Sequence, residues 1–127
     1  MSAALNEAKL LLAEFGPMKL PPVGVAYPHT SHTIFPVEEV PIKSVVVGFE
    51  RAPTVPHFSR ERAFSVLRAL QQGTPLPPVN VYLKLAAGND GEMYELYHGY
   101  HRYHLSLAIG FTHIPVAINS CEADNAL

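Results

Sequence analysis

The run Tyr94-Glu95-Leu96-Tyr97-His98-Gly99-Tyr100-His101-Arg102-Tyr103-His104 concentrates most of the chemistry this chain could do. A glycine stands between a segment of strand character and a segment of helix character. The amino end of a helix presents backbone N–H groups without intrahelical acceptors, at the positive end of the helix dipole. Gly99 has access to backbone conformations closed to other residues and lets a ligand come near. His101 offers a ring donor, and Arg102 a fixed cation with a planar fork of donors. Gly99, Tyr100, His101 and Arg102 together compose what a phosphate or carboxylate requires. In the competing reading Gly99 only makes the turn, Arg102 pairs with a surface acid, and the histidines cap or pack.

Other residues add to this picture at a distance in sequence. His57, Ser59 and Arg60 precede or open a second helix and would form another wall of an anion site. Glu50, near the end of a strand, is the one acid considered as a general base, and Tyr100 is the other catalytic candidate. His98, His101 and His104 are spaced by three, so 101 and 104 share a helix face. Three imidazoles can hold zinc, but no carboxylate or thiolate accompanies them and the spacing is not a standard zinc signature. No metal site is therefore expected, with the three histidines as the alternative. Cys121 is the only cysteine, which excludes an intramolecular disulfide and any zinc site with more than one thiolate.

The elements that must position these residues follow from periodicity and punctuation. Leu5, Ala8, Leu11 and Leu12 predict a helix over Ser2–Glu14, stopped by Gly16-Pro17, whose apolar face needs either the domain body or a second subunit. Pro17 to Pro36 reads as an irregular extended arm on the surface. Val37 to Ile42 predicts a strand that Pro41 favours at an edge, and Val45-Val46-Val47 continues it or begins another. Arg51 to His57 is a proline-punctuated loop. Ser59 caps a helix with Glu61 in its first turn and Gly73 as its stop. Pro78 to Leu85 alternates as a strand and pairs with Glu92–Tyr97 across a glycine-rich turn. A helix over Tyr100–Ile109 ends at Gly110, and Ile114–Ile118 is a final strand. The fold class is α+β with a small mixed sheet and packed helices.

Composition narrows the function classes. The chain has 127 residues, a formal net charge of −2, 48% hydrophobic and 16% charged residues. That suits one domain with a real core and disfavours disorder. Nine Lys+Arg against eleven Asp+Glu leave no general basic excess for coating DNA. Apolar runs fall far short of the about 20 residues that span a membrane, and the amino terminus lacks the pattern of a secretion signal. A cytoplasmic protein without membrane contact is expected.

The order of these motifs resembles the ParB/sulfiredoxin superfamily. Tyr94 to Tyr103 looks like its Gly-x-(His/Arg)-Arg box, and Ala108-Ile109-Gly110-Phe111-Thr112-His113-Ile114-Pro115-Val116 like its Ile-Pro-Val ending. Val40-Pro41-Ile42-Lys43-Ser44-Val45 is similar to its opening strand, and Ser59–Gly73 with Leu76–Lys84 to its middle. The match spans 37–118, leaving 1–36 as helix and arm and 119–127 as a tail.

The resemblance implies that Gly99, His101 and Arg102 face the phosphates of a nucleotide such as ATP or CTP, with magnesium held mainly by those phosphates. Sulfiredoxins carry their catalytic cysteine where this chain has Tyr100, so sulfinic acid repair is not expected. Only nine residues follow Ile118, and without a basic helix no direct sequence-specific DNA binding is expected. Nuclease or phosphotransfer activity has no matched catalytic residue. The expectation is a binding protein for a nucleotide or phosphorylated small molecule. The alternatives are a non-enzymatic interaction or regulatory module, DNA-associated through a partner or dimerised through its amino-terminal segment, and a histidine metal protein.

Overall fold

The computed structural model of the chain describes residues 3–15, 25–31, 34–47, 59–85 and 92–119. Glu50, His57 and Cys121, singled out above, lie outside them, as do most of the two proline-rich stretches.

Among the described residues three helices and five strands carry the fold: α1 (Ala3–Phe15), β1 (Val37–Pro41), β2 (Val45–Val46), α2 (Arg60–Gln72), β3 (Val79–Leu85), β4 (Glu92–His98), α3 (Tyr100–Ile109) and β5 (His113–Asn119). The helix boundaries follow local signals. The Ser59 hydroxyl accepts the N–H of Arg62 at 3.3 Å and caps α2. Gly73 (φ 72°) and Gly110 (φ 108°) end α2 and α3 in the left-handed conformation.

The sheet is mixed, in the order β1-β5-β3-β4-β2. β1 lies antiparallel to β5, β5 parallel to β3, β3 antiparallel to β4, and β4 parallel to β2. β1 and β2 are therefore opposite edges, yet only the 3-10 turn Ile42–Ser44 joins them. At about 2 Å per residue such a turn covers about 8 Å. A flat sheet would hold its edges about 19 Å apart, four spacings of about 4.8 Å. The sheet must curl to bring its edges together. Val45-Val46 thus begins a new strand rather than continuing β1, and Pro41 sits on an edge strand as its missing N–H requires.

One core fills the curl. Val79 and Val81 of β3, Leu96 of β4, and Ile114 and Val116 of β5 are all at most 1% exposed, and they pack with Leu67 and Leu70 of α2 and Leu105 of α3. α1 answers the question its apolar face raised: it packs on α3 and α2, and Ala8 and Leu11 join this same core. The domain body takes that face, and a second subunit is not needed to cover it.

The arm is also more than a surface strap. Tyr27 is 1% exposed, its hydroxyl donates to the Pro77 carbonyl at 2.7 Å, and His29 forms a β-bridge with Leu76. Burial pushes the Tyr27 phenol well above its ordinary pKa, against the opposing charge of Arg102. Among the described residues no helix is long and apolar enough to cross a membrane.

Candidate functional site

The site is built where β4 stops and α3 starts. Gly99 has φ 106°, a conformation that residues with side chains rarely adopt. A Cβ built there would lie 2.6 Å from Val79 Cγ1, 2.8 Å from Val79 Cβ and 3.1 Å from Val79 Cα. Glycine is thus required twice, by the dihedral and by the close pass of the α3 start over β3. The first intrahelical bond runs from Tyr103 N–H to the Gly99 carbonyl at 2.9 Å. The amides of Tyr100, His101 and Arg102 precede it, and Gly99 has no side chain to cap them.

The amino ends of α2 and α3 meet at His101. Its Nε2 lies 2.8 Å from the backbone N of Ser59 and accepts that N–H. An imidazole nitrogen that accepts carries no proton, so the ring is neutral with its proton on Nδ1. Burial lowers the pKa of this ring below the ordinary histidine value, and the charges of Arg62, His104 and Arg102 lower it further. His101 was expected to act as a ring donor to the ligand. Its Nε2 is used as a tie between two helix ends, which leaves Nδ1–H as the ring's donor, and the ring marks Arg62, in the first turn of α2, as a neighbouring cation. Sequence reasoning passed over Arg62 because its relation to α3 is set only in three dimensions.

Among the described residues Arg102 pairs with no surface acid. Its Nη1 donates to the carbonyls of Pro77 and Pro78, at 2.6 and 3.0 Å. The Pro77 carbonyl also receives the Tyr27 hydroxyl, so Arg102, the arm and the approach to β3 are clamped at one oxygen. These contacts use Nη1 alone and hold the guanidinium beside the first turn of α3. Charged hydrogen bonds contribute about 1.5–3 kcal/mol each when well made. Because these are partly exposed, Arg102→Ala is expected to cost about 1.5 kcal/mol in ligand-free protein, at the low end of that range. Urea denaturation checks this, and an unchanged midpoint would remove the clamp from the account.

The remaining candidates separate. Tyr100 opens α3, its ring edge-on to His104 at 4.5 Å and to His101 at 5.9 Å. His104 is 1% exposed and its Nδ1–H donates to the Tyr100 carbonyl at 2.9 Å, a packing role. His98 is exposed at the end of β4. Among the described residues no three His, Cys, Asp or Glu side chains are grouped to hold a metal ion. His98, His101 and His104 are accordingly not gathered into such a group. Ser59 is present at the junction through its backbone. Arg60 turns away, forming an ion pair with Glu14 of α1 and lying 5.7 Å over the Phe64 ring.

The arrangement is a convergence of two helix amino ends, one without a side-chain cap, beside Arg62 and Arg102. Such a place favours a multiply charged anion. No protein-family model matches the chain, and no curated protein sequence matches it.

Proposed function

We propose that this α+β domain, of ParB/sulfiredoxin-like kind, binds a nucleotide or another phosphorylated small molecule at the β4–α3 junction. The observation that carries the reading is the start of α3 at Gly99, held close against Val79 and tied through His101 to the α2 start. In this reading the amides of Tyr100, His101 and Arg102 cradle a phosphate. Arg62 and Arg102 neutralise it, while His101 fixes the spacing of the two helix ends. Tyr100 would stack on a base or donate to the ligand. Magnesium would travel with the phosphates rather than on protein carboxylates. No reaction is assigned.

Calorimetric titration with ATP, CTP and their diphosphates, with and without magnesium, tests the proposal. Arg62→Gln is the informative control because Arg62 is exposed, so its loss should weaken binding while leaving the melting temperature unchanged. A tenfold weaker Kd in that variant corresponds to about 1.4 kcal/mol. No heat with any phosphorylated ligand, or equal affinity in the variant, overturns the reading.

A further inference from the structure

We infer that His101 is a proton-operated latch between α2 and α3: its neutral ring holds the amino end of α2 in place, and taking up a proton releases it. The geometry is a single contact between residues 42 apart in sequence, Ser59 N–H to His101 Nε2 at 2.8 Å. Ser59 is also the cap of α2, its hydroxyl occupied by Arg62 N–H, so whatever holds Ser59 sets where α2 begins. A protonated Nε2 is a donor, and a donor cannot face the Ser59 N–H. Protonation therefore replaces an attraction with a repulsion where the two helix starts meet.

The described groups that bear on the ring all work in the same direction. Burial opposes a charged ring first, and Arg62 on α2 with His104 and Arg102 on α3 disfavour it further. None of these is an acid that would stabilise an imidazolium. With the folded pKa lower than the unfolded value of 6.5, the unfolded chain takes up the proton first. The stability that the latch contributes is complete above that value and is lost as pH falls below it and through the folded value.

The latch is a property of the ligand-free chain, so its failure and the failure of the phosphate reading are seen separately. The test is an NMR titration of uniformly labelled protein without ligand. At about pH 8, above the ordinary histidine range, a through-hydrogen-bond coupling between the Ser59 amide and His101 Nε2 is expected. On acidification the coupling should vanish, and the Ser59 amide shift should move with the same midpoint as the His101 ring. His101→Gln, whose side-chain carbonyl can accept the N–H without titrating, should hold the Ser59 shift constant across that range. A proton on Nε2 at about pH 8, or a Ser59 amide indifferent to His101 titration, overturns the latch. The wild-type titration decides the matter even where the variant does not fold.

Discussion

Gly99→Ala is expected to destabilise the domain by about 3 kcal/mol, the sum of two costs. A side chain held at positive φ costs about 1–2 kcal/mol. The added methyl also enters a packed region, and overpacking of that kind costs about 1–3 kcal/mol. The clash cannot be relieved by turning a rotamer, because Val79 Cβ and Cα lie at 2.8 and 3.1 Å from the new atom. The start of α3 would have to lift off β3, taking His101 away from Ser59. Gly73→Ala separates the two costs: Gly73 has φ 72° but nothing within 4 Å of a built Cβ. It should therefore lose only about 1 kcal/mol. Thermal melts of both variants check this, with about 4 °C expected per kcal/mol for a chain of this size. Equal losses at the two glycines would mean that Gly99 serves the dihedral alone and that the close pass over Val79 is unimportant.

Leu11→Ala is expected to cost about 3 kcal/mol, in the range measured for large-to-small changes at buried leucines. Leu11 is 1% exposed and lies in the same core as Leu67, Leu105 and Ile114. A helix docked on a partner, or loosely attached by its arm, would tolerate the change in the monomer. Leu10 supplies the control on the same helix, being 64% exposed, and Leu10→Ala should stay within about 0.5 kcal/mol. Denaturant unfolding at two protein concentrations completes the test. A midpoint independent of concentration and sensitive to Leu11 places α1 within the domain. A concentration-dependent midpoint would return its apolar face to a second copy.

Local structure was legible because its causes are local. Ser59, Gly73, Gly99 and Gly110 announce helix ends by their own chemistry, and the alternation of Val79, Val81 and Leu83 announces a strand without reference to anything distant. α1 came within one residue of its expected bounds, with the expected face buried. The position of β2 was not legible. Val45-Val46 reads equally as a continuation of Val37–Pro41 or as a new strand, and only closure of the curled sheet sends it to the opposite edge beside β4. The proline-rich arm misled in a similar way, since proline content speaks of extended backbone and says nothing of Tyr27 entering the core.

At the candidate site, the residue set Gly99, Tyr100, His101 and Arg102 could be read from type and spacing, but two of their roles could not. Whether His101 donates or accepts is decided by Ser59, and what Arg102 grips is decided by Pro77 and Pro78. Both partners are remote in sequence, and backbone carbonyls and amides carry no signature of their own. Arg62 escaped notice for the same reason, as one cation in an ordinary first helical turn until α3 is placed against it. Arg60 shows the reverse: its neighbours in sequence suggested a site, and Glu14 of α1 claims it.

Amide shift mapping of labelled protein during addition of magnesium-ATP, and separately magnesium-CTP, tests the central claim most directly. Saturable shifts concentrated at Gly99–Tyr103 and Ser59–Arg62 are the predicted result. Absence of saturable shifts, or shifts centred elsewhere, as on the stacked Tyr82 and Tyr97 rings of β3 and β4, would contradict it.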